Sequence, residues 1–459
     1  MSEPTKAIYP VESRIIAPLN EGGNFTANNY ILFRFSAADL QMWLVNDSYL
    51  TFDLKWTQTA FTKTGTSTAF NSTYIRNACN IFRSIEVLYG GDTIYTQPYN
   101  IEQNTLKQLS LGESYMRSNY ATYTTTSMVK DGTAYLTIPN AEAGATETIR
   151  NVMIPINQLI PLFMDINSVG FPVRNLKKQI EFRLYIAEPY RYLCDYDSTI
   201  GDFSIYFKST GTGAATQTNA NATIKNRFAP TNISLEKVKM YCATYTPKPE
   251  EMGVIDSQIN GAGMKFRYSM WQTALRQVPK ISTTNNLPFS CTTENTQALM
   301  LYAHETDHSP CLMIRPNVQS LYIRFGENQL PFQPIAGDSW STPFEYKFTS
   351  DDVLNNIDTY FSETNSDYNY SYKYKARPAD VAGAEYTSLT VPASSFVLMG
   401  ANYTSAPDAL GSASSRWNSQ YQAQFNCLYE QTMNMTFVLG VKTEFGMIVK
   451  NGDISTINI

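Results

Sequence analysis

The chain carries a faint internal repeat. Two seventeen-residue segments, which begin at Phe82 and Val318, align without a gap at an offset of 318 − 82 = 236. The identical pairs are Ser84/Ser320, Gly90/Gly326, Gln97/Gln333 and Pro98/Pro334, and the shared apolar pairs are Ile85/Leu321, Val87/Ile323, Tyr89/Phe325 and Ile94/Leu330. An offset of about half the chain predicts two copies of one domain rather than a short-period solenoid.

Length and composition fit two domains with large contact surfaces. The 459 residues are enough for two or three domains that each bury a core. Only 16% of the residues are charged, whereas 31 tyrosines and 24 phenylalanines give a high aromatic content. Interface cores are depleted in charge and enriched in aromatic residues, so this balance favours a protein that packs against copies of itself. The alternative is a secreted β-protein with ordinary polar loops.

Charge and cysteine usage argue against several functional classes. The net charge is −5 and no basic run occurs, so direct binding of nucleic acid is not expected. We find no stretch of eighteen apolar residues and no apolar signal region at the start, so a membrane span and secretion are not expected. The cysteines never form Cys-x-x-Cys and are interpreted as reduced thiols in a protein made inside a cell. They are Cys79, Cys194, Cys242, Cys291, Cys311 and Cys427.

Alternation of apolar and polar residues predicts an all-β chain. In Gln179–Ile186, the clearest example, Ile180, Phe182, Leu184 and Ile186 face one way, as in an antiparallel sheet with one buried face. Further strands are predicted within residues 31–35, 49–56, 233–245, 265–271, 320–325 and 433–449. In the last of these, smaller or polar residues alternate with Met433, Met435, Phe437, Leu439 and Val441. Helices are predicted only at 350–361 and 156–164.

Many short strands and few helices in halves of about 200 residues predict two tandem eight-stranded jelly-roll sandwiches. The proline-rich and charged segment after Tyr245 is the clearest boundary. The predicted division is an N-terminal arm at 1–28, a first jelly roll at 29–247, a linker at 248–262 and a second jelly roll at 263–459. Residues 209–223 and 404–415 are predicted to be long surface loops.

A succession of residues in the first half resembles a known family. Pro161-Leu162-Phe163 is followed by Gly170-Phe171-Pro172-Val173, then by Leu176 and the strand that begins at Gln179. This order resembles a short helix and the strand after it in the double jelly-roll major capsid proteins. That lineage includes adenovirus hexon and the capsid proteins of tailless membrane-containing phages, virophages, Polinton-like elements and giant-virus relatives. The second half has no clear copy of this succession, so its jelly roll is inferred mainly from the repeat.

The resemblance implies a structural role in an icosahedral double-stranded DNA virus. Three chains would give six jelly rolls in a pseudo-hexagonal homotrimeric capsomer. The expected partners are other copies of the chain, penton and minor capsid proteins, and an internal membrane reached by the arm at 1–28. The expected location is the virion capsid, with synthesis and assembly inside the host cell. No catalytic, cofactor-binding or metal-binding residue and no cofactor is expected.

One pattern indicates an enzyme. The two histidines of the chain fit His304-Glu305-x-x-His308, in which histidines one helical turn apart bind zinc and the glutamate activates water. Glu327 is a conceivable third ligand. Ser309-Pro310 follows at once and disfavours a continuing helix. We therefore favour a strand at 298–303 and a polar loop at 304–309, and keep a zinc metallopeptidase and a weak adventitious metal site as alternatives.

A second alternative is a lectin-like or receptor-binding β-sandwich. The stretch Tyr368-Asn-Tyr-Ser-Tyr-Lys-Tyr374 offers aromatic rings that could stack on sugars. Buried or interfacial tyrosine is the commoner explanation of such a stretch. No phosphate-binding glycine loop of the Walker or dinucleotide type is found.

Overall fold

The structure is a computed structural model. It describes residues 11–20, 22, 24–58, 70–75, 77–110, 127–130, 133–139, 146–163, 170–197, 202–205, 230–279, 289–292, 296–306, 310, 320–325, 328–336, 420–426 and 434–458. Four sequence predictions lie outside these residues: the helix at 350–361, the loops at 209–223 and 404–415, and the tyrosine-rich stretch at 368–374.

The first half forms a β-sandwich with an additional sheet. Its strands are β1 (Glu12–Ile16), β2 (Phe25–Thr26), β3 (Tyr30–Phe35), β4 (Met42–Gln58), β5 (Phe70–Ile75), β6 (Phe82–Tyr89), β7 (Asp92–Gln97), β8 (Ser127–Lys130), β9 (Thr133–Pro139), β10 (Thr146–Pro155), β11 (Phe171–Pro172), β12 (Ile180–Ile186), β13 (Leu193–Asp197), β14 (Asp202–Ile205) and β15 (Pro230–Tyr245). One sheet has the order β1-β15-β4-β10 and the other β3-β12-β6-β7. A third sheet, β14-β13-β5-β9-β8, comes from segments inserted between these strands.

The sandwich order is that of a jelly roll. If the eight strands of the two main sheets are counted along the chain, they are arranged as 1-8-3-6 and 2-7-4-5. β2 pairs with β15 on the same side as β1, and β11 pairs with β4 on the same side as β10. Each short strand thus lengthens one edge of the first sheet. The pairing within each main sheet is antiparallel throughout.

The second half repeats this order. Its strands are β16 (Met264–Val278), β17 (Phe289–Thr292), β18 (Thr296–Glu305), β19 (Ser320–Phe325), β20 (Asn328–Ala336), β21 (Gln420–Asn426), β22 (Met435–Lys450) and β23 (Asp453–Asn458). One sheet is β16-β22-β18, with β23 paired to β22, and the other is β17-β21-β19-β20. Described strands therefore fill seven of the eight positions, in the order 1-8-3 and 2-7-4-5. The prediction of two tandem jelly rolls is confirmed.

The sequence repeat falls on equivalent strands. Residues 82–98 contain the β6–β7 hairpin and residues 318–334 contain most of the β19–β20 hairpin. Each hairpin supplies the fourth and fifth strands of its sandwich and ends a four-stranded sheet. Gly90 and Gly91 both have positive φ, as the two-residue turn between β6 and β7 requires. The two repeated segments therefore form equivalent hairpins of two sandwiches with the same fold, and the repeat is not a coincidence of composition.

The predicted faces of β12 are confirmed. Its residues alternate between buried and half-buried along the whole strand, and Phe182 has no exposed surface. The Phe182 ring lies 5.2 Å from Phe35, 6.0 Å from Trp43 and 5.8 Å from Phe163, between ring centroids. Phe163 belongs to a 3-10 turn, Pro161–Phe163, that follows the short helix α2 (Ile156–Leu159). The helix predicted at 156–164 is thus divided, because a proline in mid-helix removes a hydrogen bond.

Two helices were not predicted. Helix α1 (Asn100–Ser110) follows β7, and helix α3 (Pro249–Asn260) lies in the segment predicted as a linker. Pro249 occupies the first turn of α3, where the missing N–H costs nothing. In the segment predicted as an arm, β1 pairs with β15 from Glu12↔Thr244 to Ile16↔Met240.

The prediction for β22 needs correction. Alternation was expected there, but all residues from Met435 to Val441 are buried, so both faces of this part of the strand are covered. Part of that cover is helix α1 of the first half, which contacts both β16 and β22. A strand covered on both faces loses the period-two signal from which it was predicted.

Candidate functional site: the contact between the two sandwiches

Aromatic rings join the two halves into one core. The ring of Tyr95 on β7 lies 6.0 Å from Tyr268 on β16, and the ring of Phe171 on β11 lies 5.6 Å from Phe266 on β16. Tyr268 also stacks on Phe445 at 5.4 Å. Phe266 and Tyr268 belong to the same buried cluster as the core of the first sandwich. The first strand of the second sandwich is therefore packed as core against the first sandwich.

Hydrogen bonds fix the start of α1 beneath this contact. The Tyr95 hydroxyl donates to Oε1 of Gln97 at 2.8 Å, and Nε2 of Gln97 donates to Oδ1 of Asn100 at 2.8 Å. Nδ2 of Asn100 donates to the carbonyls of Cys79 at 2.7 Å and Phe82 at 2.6 Å. All five residues are buried. Because a buried polar group without a partner is costly, this chain of bonds holds α1 in one position.

The turn between β22 and β23 forms a second point of contact. The main-chain N–H of Lys177 donates to the Gly452 carbonyl at 3.0 Å, and the Tyr89 hydroxyl donates to the same oxygen. Burial raises the pKa of Tyr89, so its hydroxyl keeps the proton that it donates. Gly452 has φ +79, and a Cβ there would lie 2.7 Å from the Asn175 carbonyl oxygen. This turn therefore requires glycine both for its conformation and for the close approach.

Helix α3 is tied to both halves. Nδ2 of Asn175 donates to Oδ1 of Asp256 at 2.6 Å, and Arg174 lies 3.6 Å from the same carboxylate. The main-chain N–H of Asn451 donates to the carbonyl of Ile259 at 3.1 Å. The segment predicted as a linker thus bridges the sandwiches and restricts their relative movement.

A lysine is buried on α1. Nζ of Lys107 donates to Oε1 of Gln158 at 3.0 Å, and burial lowers the pKa of Lys107 to about 8. Burial also raises the pKa of the Cys79 thiol to about 12, although the charge of Lys107 acts in the opposite direction. A thiol with that pKa carries almost no thiolate at neutral pH, so Cys79 is not a nucleophile. Lys107, Gln158 and Cys79 all belong to the first half, and we assign this buried group a structural role there.

The outer face of the second main sheet is charged. Arg34 pairs with Glu181 at 2.8 Å, and Arg183 lies 3.8 Å from Glu86 and 3.7 Å from Glu181. The Tyr185 hydroxyl donates to Oε2 of Glu86 at 3.1 Å. Arg183 therefore lies on the outer face, as the alternation of β12 predicts.

The structure places the first histidine of the His-Glu-x-x-His pattern in a strand. His304 and Glu305 end β18 and pair with Thr436 and Met435 of β22. The prediction of a loop from residue 304 onward is therefore wrong for these two residues. They also do not form the helix that a zinc peptidase would need there. His304 is only 3% exposed. His308 and Glu327 lie outside the described residues.

No group of three or more His, Cys, Asp or Glu side chains among the described residues is placed to hold a metal ion. Nor does any helix in the described part of the chain have the length and apolar character needed to cross a membrane.

Sequence reasoning missed most of this contact. Its signals were weak: Asn451-Gly452 is a dipeptide typical of tight hairpin turns, and both residues have positive φ. The start of α1 is rich in polar side chains, so the sequence shows no apolar periodicity there. The partners of these side chains are distant in sequence and could not be recognised from it. Only the tyrosine and phenylalanine content indicated extensive contact surfaces.

Comparison with solved structures supports the fold over the full chain. The mavirus major capsid protein matches with a TM-score of 0.54 and 12% sequence identity, over 100% of this chain and 93% of that chain. A chain of the PBCV-1 virus capsid matches with a TM-score of 0.53 and 9% identity, over 99% and 98%. A chain of the Sputnik virophage matches with a TM-score of 0.50 and 11% identity, over 100% and 91%. The likeness shows that this chain has the double jelly-roll fold.

Comparison of the sequence alone was negative. No protein-family model matches the chain, and no curated protein matches it. At 9%, 12% and 11% identity, the likeness to these three solved structures shows the fold alone.

Proposed function

We propose that this chain is the structural major capsid protein of an icosahedral double-stranded DNA virus. The observation that carries the proposal is the pair of jelly rolls with the same strand order, joined by a buried contact within one chain. The solved structures that share this fold from end to end are named as capsid or virus structures. A structural role without catalysis follows from this proposal.

The contact between the sandwiches suits a protein whose two halves must keep a fixed arrangement. The rings of Tyr95 and Tyr268, the turn at Gly452 and helix α3 hold the halves at three separate places. A single flexible linker would let two domains move independently, whereas a shared core does not. The chain is therefore a rigid two-sandwich unit, which is what a regular lattice needs.

The proposed assembly is a homotrimer. Three chains of two sandwiches each give six sandwiches and hence a pseudo-hexagonal capsomer. We propose residues 29–247 and 263–459 as the two jelly rolls, joined by 248–262, with β1 added to the first sheet from the segment 1–28. Neighbouring capsomers, penton and minor capsid proteins, and an internal membrane met by residues 1–28 are the proposed partners in the virion. Nucleic acid is not a proposed partner, because the chain is acidic.

Size-exclusion chromatography with light scattering on the purified chain tests the proposal. A particle of three times the 51.7 kDa chain mass is expected at micromolar concentration. A stable monomer that binds a glycan array would instead support the lectin-like alternative, whose tyrosine-rich stretch lies outside the described residues.

A further inference from the structure

The dipeptide Asn-Gly occurs twice in the 459 residues, and both copies lie in the contact between the sandwiches. Asn260-Gly261 ends helix α3, and Asn451-Gly452 is the turn between β22 and β23. The two dipeptides are neighbours in space, because the main-chain N–H of Asn451 donates to the carbonyl of Ile259 at 3.1 Å. We call residues 259–261 and 451–452 together the α3 corner.

Asn-Gly is the dipeptide that loses side-chain ammonia most readily. The main-chain nitrogen of the glycine attacks Cγ of the asparagine and loses its proton, and the amide nitrogen leaves as ammonia. Water then opens the cyclic succinimide at either carbonyl, which gives aspartate or isoaspartate. Glycine favours the attack because it has no Cβ to hinder the nitrogen and because its backbone rotates freely. The α3 corner therefore holds two chemically similar candidates for this reaction.

The turn at Asn451-Gly452 is held from both sides. Both residues have positive φ, 51° and 79°, as a tight two-residue hairpin turn requires. The N–H of Asn451 is bound to Ile259, and the carbonyl of Gly452 accepts from the N–H of Lys177 at 3.0 Å and from the hydroxyl of Tyr89. The attack requires the peptide unit between Asn451 and Gly452 to rotate towards the asparagine side chain. These bonds oppose that rotation as long as the sandwiches stay in contact.

Asn260-Gly261 is protected by a different bond. The N–H of Gly261 donates to the carbonyl of Ser257 at 3.0 Å, within the last turn of α3. The nitrogen that would attack Asn260 is thus engaged by the helix itself, and its release requires fraying of the helix end. The reactivity of Asn260 therefore does not depend on the hydroxyl of Tyr89.

We infer that Asn451-Gly452 is a latent modification site, where deamidation follows local separation of the sandwiches at the α3 corner. While the corner is closed, the bonds to the first sandwich and to α3 keep the turn from reacting. When the corner opens, the nitrogen of Gly452 reaches Cγ of Asn451. Because the chemical step is slow and local opening is fast, the rate follows the fraction of molecules in which the corner is open. The inference goes beyond the proposed function and does not depend on it.

The product does not fit the closed turn. Isoaspartate carries the main chain through its side chain and so adds a methylene group to the backbone. The turn has no room for it, since even a Cβ on Gly452 would lie 2.7 Å from the carbonyl oxygen of Asn175. Both products also place a negative charge two residues before Asp453, and like charges repel. Deamidation therefore converts a reversible opening into a permanent weakening of the contact.

Peptide mass spectrometry of the full-length chain measures the reaction at both dipeptides. The chain is incubated at neutral pH in water enriched in the heavy oxygen isotope, once native and once unfolded in urea, so that each hydrolysis is labelled. In the unfolded chain, Asn260 and Asn451 should react at similar rates. In the native chain, Asn451 should react more than about tenfold more slowly than in the unfolded chain. Equal rates at Asn451 in the two states would overturn the inference.

The variant Tyr89→Phe separates local opening from global unfolding. It removes the hydroxyl that donates to the carbonyl of Gly452 and accepts from the N–H of Lys178 at 3.2 Å. We expect the native rate at Asn451 to rise about threefold to tenfold, as the loss of a hydrogen bond allows, while the rate at Asn260 stays unchanged. No acceleration at Asn451, or equal acceleration at both dipeptides, would contradict a site controlled by the α3 corner.

The matched control is Tyr185→Phe. The hydroxyl of Tyr185 donates to Glu86 on the outer face of the first sandwich, away from the α3 corner, so neither rate should change. If Tyr89→Phe does not fold, the wild-type chain in urea below its unfolding transition provides the measurement. The rate at Asn451 should then rise before circular dichroism changes. A rise that occurs only together with global unfolding would rule out local opening as the cause.

Discussion

Gly440 on β22 lies directly against Leu106 on α1. A Cβ on Gly440 would come within 2.3 Å of Cδ1 and 2.8 Å of Cδ2 of Leu106. Gly440 belongs to the second sandwich and Leu106 follows the fifth strand of the first, so this contact fixes how closely the two halves approach. The absence of a side chain at residue 440 is what lets the helix lie on the strand.

Gly440→Ala should therefore weaken the protein. The added methyl group displaces Leu106 in a packed contact, and overpacking of this kind costs about 1–3 kcal/mol. The free energy of unfolding, measured by urea titration, should fall by that amount. Adding Leu106→Ala to the variant should restore space, so the two substitutions should couple in a double-mutant cycle.

Gly253→Ala is the matched control. Gly253 lies within α3, and nothing lies within 4 Å of the position that its Cβ would take. Alanine is preferred to glycine in a helix interior, so this variant should be stabilised by up to about 1 kcal/mol. Equal effects of Gly440→Ala and Gly253→Ala would contradict the close contact.

Phe182→Ala and Arg183→Ala should differ strongly. Phe182 is enclosed by three aromatic rings, and loss of a buried phenylalanine costs about 3–5 kcal/mol. Arg183 is partly exposed and its ion pairs are long, so its removal should cost less than about 1 kcal/mol. Chemical denaturation of both variants measures the difference. Similar losses would refute the assignment of the two faces of β12.

Lys107 should make stability depend on pH. Its pKa is lowered on folding from 10.5 to about 8, so between these values the folded chain binds fewer protons than the unfolded chain. Stability should therefore rise as pH increases from about 8 towards 10, by about 1–3 kcal/mol from this residue. Below pH 8 the unfavourable burial of the charge is fully present.

Thermal unfolding of Lys107→Met across this pH range checks the assignment. The variant should be relatively more stable at pH 7 and should lack the rise between pH 8 and 10. Lys265→Met, at an exposed position on β16, should keep the rise. A rise that persists in Lys107→Met would assign the pH dependence to another group.

The purified chain should carry no stoichiometric zinc. His304 is buried in a strand that is paired with β22, where the helical spacing of a zinc peptidase is not formed. Elemental analysis after mild chelation measures the metal, and Glu305→Gln should leave assembly unchanged. One tightly held zinc per chain with His304 as a ligand would show that this interpretation of the motif is wrong.

The sandwiches could be predicted because their signals are local. Phe182 and Ile180 alternate with polar residues in one strand, and the repeat places Val87 and Ile323 in equivalent strands. Alternation and turn chemistry depend on neighbours in the chain, so they are visible without the fold. The end of β18 was predicted two residues too early, because polar residues such as His304 and Glu305 do not look like strand residues.

The contact between the sandwiches could not be predicted in the same way. Asn100 and Gln97 look like surface residues until their partners, the carbonyls of Cys79 and Phe82 and the hydroxyl of Tyr95, are brought to them. Gly440 gives no signal in sequence because its role depends on Leu106. Features that exist only between distant segments need the fold before they can be recognised.

Electron microscopy of the purified chain, preceded by light scattering, tests the capsid proposal most directly. Trimers that average to a pseudo-hexagonal block with six sandwiches are the predicted result. A stable monomer, or an oligomer without six similar lobes, would contradict the assignment of this chain as a capsid building block.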